Sequence, residues 1–280
     1  MKFKFLFLFF NIVIIIFLLT IFFMPLMILG ETFSSLLSGM FIRSLWPLTA
    51  VLLAVLIVLD IYYFSNSKLF RLLEREDWPA LAAYLETRLP GRYPGYLVRL
   101  YANTCLVLSD SGAVIDLENK LALVKPALVE RNALLFGAAR ILGKDYKGAL
   151  RFFAALDRPR GKGSRFLGGR EKRARWLAWY HGFSLLLDRR FGEAAEKFRL
   201  LAAEAADPVT AGLAAWFLAD NLSQVVEGSQ EAALAARERI RSSLARRKDW
   251  DGEIAKIETE IYAAILRTYI NEAGNWIYNP

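Results

Sequence analysis

The side chains that most often carry catalysis are sparse in this sequence. Among 280 residues there is one histidine, His181, and one cysteine, Cys105. Hydrolytic and metal-dependent enzymes use clustered His, Cys, Asp or Glu side chains, which these two residues do not supply. His181 precedes Gly182 on the core side of a predicted helix, and Cys105 lies in the apolar stretch 101–108. We interpret both as packed residues and predict no catalytic residue and no metal site.

Two further motifs resemble functional elements by composition alone. Gly161-Lys162-Gly163-Ser164 is similar to the end of a phosphate-binding loop. That loop also needs a glycine five residues before its Gly-Lys pair and a preceding strand, whereas Asp157 and a predicted helix over 148–156 stand there. The carboxylates Glu258 and Glu260 lie on a polar helix face and are interpreted as solvated charge. We therefore predict that the chain is not an enzyme and needs no cofactor.

Two apolar stretches at the N-terminus predict a membrane anchor over residues 5–64. Residues 5–30 contain no charged side chain, and residues 45–64 contain one, Asp60, close to the end of the stretch. About 20 apolar helical residues cross a hydrocarbon core of about 30 Å. The first stretch is too long for a typical cleaved signal peptide and no small-residue cleavage site follows it. Asp60 is close enough to the end of its span to reach the interface, which favours a structural role over a functional one.

The basic residues around these stretches predict the topology. We place the spans at about 5–29 and 45–64, joined by a short loop over 31–44. Arg43 is the one basic residue in the loop. Five basic residues flank the two spans on their other side: Lys2, Lys4, Lys68, Arg71 and Arg75. Because cytoplasmic segments are enriched in Lys and Arg, both termini are predicted to be cytoplasmic. With one cysteine the chain forms no internal disulfide, which agrees with a reducing compartment.

Residues 66–280 have the apolar spacing of an all-α domain, and they contain an internal repeat. Segments 131–157 and 176–202 superimpose at an offset of 45 residues, which pairs small residues with small and aromatic with aromatic. The pairs are Gly137 with Gly182, Tyr146 with Phe191, Ala149 with Ala194, and Phe153 with Phe198. Small residues let two antiparallel helices approach closely, and the aromatic residues fill the seam between successive pairs.

This spacing resembles the tetratricopeptide repeat. The resemblance implies a TPR-like α-solenoid of four to five helix pairs behind the two transmembrane helices. It also implies a partner-binding groove lined by Trp176, Trp179, Phe183, Leu186 and Leu187. Large aromatic residues in a groove are good anchors for a peptide or a helix. Because Leu177 and Tyr180 make the same helix apolar on its other side, these residues alternatively belong to the core.

Weaker helix pairs are predicted on either side of the two best repeats. They lie at 68–75 with 80–89, at 96–108 with 113–123, and at 208–226 with 230–246. A last helix near 252–272, stopping at Gly274, is expected to cap the domain. The layout of two N-terminal spans followed by helical repeats is similar to that of the HemY-type bacterial membrane proteins, which implies a location in the bacterial inner membrane.

The positive charge of the domain is concentrated in a predicted insertion over 158–175. It contains eight basic residues and one acidic residue, Glu171, and four glycines that make it flexible. The basic residues are Arg158, Arg160, Lys162, Arg165, Arg170, Lys172, Arg173 and Arg175. Such a segment could bind anionic lipid or an acidic partner protein, or serve as a solvated linker. Nucleic acid is the weakest alternative because no base-stacking platform accompanies the charge.

Together these observations predict a membrane-anchored scaffold or adaptor that binds a protein partner through its helical-repeat surface without bond chemistry. Two alternatives remain open at this point. The first is a periplasm-facing structural component of an envelope machine, such as a motility or secretion assembly. The second is an accessory subunit of a membrane enzyme.

Overall fold

Helices form all the regular secondary structure of the computed structural model, which describes residues 2–28, 36–156, 168–203, 207–258 and 260–279. They are α1 (Lys2–Ile28), α2 (Leu36–Ser65), α3 (Ser67–Glu74), α4 (Trp78–Arg88), α5 (Gly95–Val107), α6 (Ser111–Val124), α7 (Pro126–Arg131), α8 (Ala133–Leu142), α9 (Tyr146–Leu156), α10 (Gly168–Leu187), α11 (Phe191–Ala203), α12 (Pro208–Phe217), α13 (Ser229–Ser243), α14 (Arg247–Ala255), α15 (Ile261–Ile265) and α16 (Arg267–Tyr278). A π-helical segment, Leu218–Leu222, follows α12 directly. The predicted all-α class is confirmed.

The chain divides into two compact units, Met1–Arg88 and Leu89–Pro280. The sequence predicted that the repeat domain begins at residue 66. In the structure the first unit ends at Arg88, and it therefore includes α3 and α4. The reason is aromatic packing across the α2–α3 junction. Tyr63 stacks on Phe70 with ring centroids 5.7 Å apart, which ties α3 to the end of α2.

Both α1 and α2 are long and apolar enough to cross a membrane. Their apolar segments are Lys4–Ile21 and Trp46–Ser65, and neither segment is buried inside the protein. Helix α2 begins at Leu36, so most of the loop predicted over 31–44 is helical instead. The one proline of α2 is Pro47, so residues 36–46 all keep the backbone donor that a helix needs. Residues 29–35 lie outside the part that the structure describes.

Helices α1 and α2 pack against each other as an antiparallel hairpin. The Asn11 side-chain amide donates to Asp60 Oδ1 at 2.9 Å between the two helices. Phe7 stacks on Tyr63 at a centroid distance of 3.8 Å. Asp60 therefore has a polar partner within the hairpin, which lowers the cost of placing a carboxyl group in an apolar segment.

Four turns of one type join consecutive helices: α3 to α4, α5 to α6, α8 to α9 and α10 to α11. Each turn has one residue with positive φ: Glu76, Ser109, Lys144 and Arg189. These four residues follow one another at intervals of 33, 35 and 45 residues. In each turn the next amide donates to the carbonyl five residues earlier, which is the Schellman end of a helix. The third interval is the longest and contains the basic stretch of the sequence.

The two helix pairs that the sequence superimposed share one packing device. A Cβ added at Gly137 would lie 1.9 Å from Phe153 Cζ, and one added at Gly182 would lie 2.9 Å from Phe198 Cε1. Both phenylalanines are fully buried. In each pair, therefore, the glycine of the first helix makes the space that the phenylalanine ring of the second helix occupies. We call each arrangement a glycine socket.

The C-terminal region is not the single helix that the sequence predicted. Three helices, α14, α15 and α16, stand there, and α16 continues through Gly274 to Tyr278. A Cβ at Gly274 would lie 2.6 Å from Trp250 Nε1, so this glycine permits close packing of α16 on α14. The prediction of a helix end at Gly274 is wrong because glycine also occurs where two helices approach closely.

Candidate functional site

Three of the five residues predicted to line a partner groove belong to the buried core: Trp176, Trp179 and Phe183. Trp176 and Trp179 are 0 % exposed, so the groove prediction is wrong for them and the alternative, core packing, applies. Trp176 packs on Tyr262 at 5.1 Å, and Trp179 packs on Phe217 at 5.6 Å. The cause is that helices α12, α15 and α16, which are distant in sequence, cover this side of α10.

Phe183, which is 8 % exposed, lines a concavity at the C-terminal end of α10 together with the other two groove residues, Leu186 and Leu187. Its volume is about 820 Å³, and we call it the aromatic pocket. The remaining lining residues come from α11, α12, the π-helical segment and α16: Phe191, Trp216, Phe217, Asp220, Asn221, Tyr269 and Glu272. A pocket of this size is within the range of small-ligand and side-chain sites.

Aromatic rings in mutual contact form the floor of the aromatic pocket. Tyr269 lies 5.5 Å from Phe217, 5.8 Å from Trp216 and 6.3 Å from Phe183, measured between ring centroids. Phe183 and Phe217 are in turn 5.5 Å apart in an edge-to-face arrangement. Rings that hold one another in this way have little freedom to collapse into the space. The floor is therefore preorganised.

The π-helical segment Leu218–Leu222 brings polar groups to the rim. A π-turn has one more residue than an α-turn, so it displaces the residues that follow, and such turns are common at functional sites. Asp220 and Asn221 lie in this segment and are exposed at the rim. The Asn221 amide donates to Asp220 Oδ2 at 3.1 Å.

The rim of the aromatic pocket is acidic. Asp220 and Glu272 are exposed carboxylates, and neither forms an ion pair within the part of the chain that the structure describes. No lysine or arginine is among the lining residues. Aromatic faces and carboxylates both attract cations. The aromatic pocket thus has the chemistry to hold a cationic group with an apolar stem.

A continuous chain of aromatic contacts runs along α10. It starts at Tyr262 and passes through Trp176, Trp179 and Phe183 to Tyr269, with centroid distances of 5.1, 6.3, 5.2 and 6.3 Å. We call it the aromatic chain. It places one end of the buried aromatic cluster in the floor of the aromatic pocket.

A buried tyrosine hydroxyl anchors the other end of the aromatic chain. Tyr180 Oη donates to the main-chain carbonyl of Tyr262 at 2.8 Å. Burial raises the pKa of the Tyr180 phenol well above its usual value, and it raises the pKa of Tyr262 to about 12 with help from the charges of Glu260 and Asp207. Both phenols are therefore neutral at physiological pH, and the Tyr180 hydroxyl acts as a donor.

The predicted basic insertion is not one flexible loop. Arg158, Arg160, Lys162 and Arg165 lie outside the described residues, as does the Gly161–Ser164 motif. From Gly168 onwards the segment is the first part of α10, which includes Arg170. Arg175 forms an i,i+4 ion pair with Glu171 at 2.5 Å, which supports helix there. Lys172 and Arg173 line a second pocket together with Arg99 and Arg131.

The two residues first considered for chemistry lie in different environments. Cys105 is 2 % exposed, as expected of a small buried hydrophobe. His181 is half-buried on α10 and lies at a surface concavity with Leu185 and Lys197. No group of three or more His, Cys, Asp or Glu side chains that could hold a metal ion occurs in the described ranges.

The sequence missed most of the aromatic pocket. Trp216, Asp220, Tyr269 and Glu272 were not identified, because they come from segments 30 to 90 residues away from α10 along the chain. The one available signal was the tryptophan-phenylalanine pair at 216–217, which lies in an otherwise small-residue helix.

Comparison with known proteins places residues 113–279 in a family described as "Uncharacterised Treponema protein". A protein of Treponema pallidum (strain Nichols), whose name is "Uncharacterized protein", is 27 % identical over 191 residues. That alignment covers 67 % of this chain and 58 % of the relative, so the chain spans less than two thirds of the relative's length. No solved structure matches. The family match covers α6 to α16 almost completely, including the whole aromatic pocket, and the chain belongs to this family of Treponema proteins.

Proposed function

We propose that this protein is a membrane-anchored scaffold or adaptor, with a TPR-like helical surface that binds a protein partner and no bond chemistry of its own. The observation that carries the proposal is the aromatic pocket, which has a preorganised floor of rings and two carboxylates without ion pairs. We place the protein in a bacterial inner membrane, held by α1 and α2.

The composition of the aromatic pocket favours one kind of partner segment. A lysine or arginine side chain would lay its methylene stem on the rings of Phe183 and Tyr269 and bring its charge to Asp220 and Glu272. Leu186 and Leu187 would contact a neighbouring apolar residue of the same segment. We therefore propose a basic, partly apolar peptide or helix as the partner element.

Site-specific photocrosslinking tests this proposal. A benzophenone amino acid replaces Leu187 in the full-length protein in its native membranes, and captured proteins are identified by mass spectrometry. The same reagent replaces exposed Lys120 as a positional control. We expect a partner that is captured from position 187 and not from position 120, and the crosslinked peptide of that partner should contain a lysine or arginine.

Charge variants make the test specific. Asp220→Asn with Glu272→Gln should reduce the crosslink at position 187 by about tenfold, since charged hydrogen bonds contribute about 1.5–3 kcal/mol. Asp116→Asn with Glu238→Gln removes the same charge from exposed positions outside the aromatic pocket and should leave the crosslink unchanged. Equal crosslinks in the two double variants would contradict the proposal.

We propose the cytoplasm as the location of the C-terminal unit, on the basis of the basic residues that flank the hairpin. Cys105 is buried, so a cysteine introduced at Leu123, which is 89 % exposed, would be the accessible thiol. A membrane-impermeant maleimide should label Leu123→Cys only after the inner membrane is permeabilised. Labelling in intact spheroplasts would support the periplasm-facing alternative.

A further inference from the structure

The second pocket of the C-terminal unit is lined mainly by basic and polar side chains. Its volume is about 420 Å³, and we call it the basic pocket. Five basic residues from four separate segments line it: Arg99, Arg131, Lys172, Arg173 and Lys256. The acidic residue of the lining is Glu260. These positive charges come from α5, α7, α10 and the residue that follows α14. Their mutual repulsion is unfavourable unless an anion compensates it.

The ion pairs around the basic pocket neutralise only part of this charge. Arg99 pairs with Glu260 at 2.7 Å, and Lys256 pairs with Glu253 at 2.6 Å. Three cations, Arg131, Lys172 and Arg173, form no ion pair with a carboxylate in the described part of the chain. The Arg173 guanidinium instead donates to the main-chain carbonyl of Arg131 at 3.3 Å. A net charge of about +3 thus remains at one concavity.

The polar groups of the basic pocket suit an anion with several oxygens. Arginine presents a planar fork of donors that matches phosphate oxygens in pairs, and lysine adds a compact point charge. Asn132 and the first turn of α8, with Leu134 and Leu135, also line the pocket.

We propose that the basic pocket binds a phosphate group, with Arg131, Lys172 and Arg173 as its principal ligands. This site is independent of the aromatic pocket, which lies at the other end of α10 and has the opposite charge. The phosphate could belong to a soluble phosphate compound or to a lipid headgroup, and the two sources share the chemistry that the pocket recognises. Arg99 would join the site when Glu260 is displaced from it.

Calorimetric titration of the full-length protein in neutral detergent micelles tests the proposal with two probes. The probes are inorganic pyrophosphate and soluble dihexanoyl phosphatidylglycerol. We expect saturable binding of at least one of them. The triple variant Arg131→Gln, Lys172→Gln, Arg173→Gln should weaken that binding by about tenfold or more, because each charged hydrogen bond contributes about 1.5–3 kcal/mol.

A matched control separates the effect of charge in the basic pocket from the effect of the protein's net charge. The triple variant Lys120→Gln, Lys147→Gln, Arg241→Gln removes the same charge from exposed positions outside the basic pocket, and its affinity should change by less than about twofold. Glu260→Gln frees Arg99 from its carboxylate, so it should tighten binding severalfold. This gain keeps the proposal testable if the pocket triple variant does not fold.

Each outcome bears on the proposal. Pocket-dependent binding of pyrophosphate supports a soluble phosphate compound, and pocket-dependent binding of the lipid alone supports a headgroup. Equal loss of affinity in the pocket and control variants, or no binding of either probe by the parent protein and Glu260→Gln, would overturn it.

Discussion

The two helix pairs α8–α9 and α10–α11 have the same glycine socket and the same type of turn, but they differ in the polar groups around the turn. In the first pair Asp145 accepts from Arg140 at 2.9 Å, and Arg140 also binds both oxygens of Glu118 on α6 at 2.9 and 3.0 Å. In the second pair Arg190 binds Glu193 at the surface, with one contact at 2.7 Å.

Burial explains what this difference means. The side chains of Arg140 and Glu118 are 14 % and 8 % exposed, whereas Arg190 and Glu193 are about half exposed. Burial alone would lower the pKa of Arg140, but the hydrogen bonds and charges of Glu118 and Asp145 outweigh it and raise that pKa. The repeat therefore preserves apolar packing and leaves its polar positions free to differ between pairs.

The largest expected effect is in the buried network of the first pair. Glu118→Ala leaves the Arg140 guanidinium buried without one of its two carboxylates and should lower the free energy of unfolding by about 3–5 kcal/mol. Glu193→Ala, at the corresponding surface pair, should cost no more than about 1 kcal/mol. Urea unfolding of the full-length protein in micelles, followed by circular dichroism, measures both. Similar losses would remove the contrast between the pairs.

The two glycine sockets should differ in how well they tolerate an added methyl group. Gly137→Ala places a methyl group inside the Phe153 ring and should destabilise by about 1–3 kcal/mol. Gly182→Ala meets the edge of the Phe198 ring at 2.9 Å and Lys197 Cβ at 3.3 Å, so its cost should be smaller. The double variant Gly137→Ala, Phe153→Leu should recover part of the loss in a double-mutant cycle. Strict additivity would mean that the Phe153 ring does not limit the space.

Tyr180 joins the two pairs, and its titration gives a pH-dependent test. Its ring stacks on Phe153 at 5.5 Å and its hydroxyl binds the Tyr262 carbonyl. Because its folded-state pKa lies above the unfolded value of about 10, its stabilising contribution is complete below pH 10 and is lost as the pH rises further. Tyr180→Phe should flatten the alkaline decline and cost about 0.5–1.5 kcal/mol at neutral pH. An unchanged alkaline profile would exclude this role.

The smallest expected effect on stability is at the turns, and it should be equal in the two helix pairs. Lys144 and Arg189 have φ of 61° and 62°, a conformation that costs a residue with a Cβ about 1–2 kcal/mol. Glycine avoids that strain but loses more chain entropy on folding, so Lys144→Gly and Arg189→Gly should each stabilise by about 0.5 kcal/mol. Thermal unfolding midpoints measure this. Opposite signs at the two positions would show that the turns are not equivalent.

Some features of this protein can be predicted from its sequence, and others depend on contacts between distant segments. The apolar spans, the helical class and the paired Gly137 and Gly182 follow from local composition and a fixed spacing. The burial of Trp176 and Trp179 does not, because it depends on helices that fold back from positions after residue 207. Both pockets are built in the same way, from residues such as Arg99 and Tyr269 that no single segment brings together.

The aromatic chain along α10 gives the protein an intrinsic spectroscopic reporter. Indole and phenol rings fixed 5 to 6.5 Å apart couple their electronic transitions, so the near-ultraviolet circular dichroism of this protein should be strong and should depend on their mutual geometry. That signal disappears when side-chain packing is lost, even where helix is retained. Tyr262 borders the basic pocket and Tyr269 the aromatic pocket, so a ligand at either end can be detected without any added label.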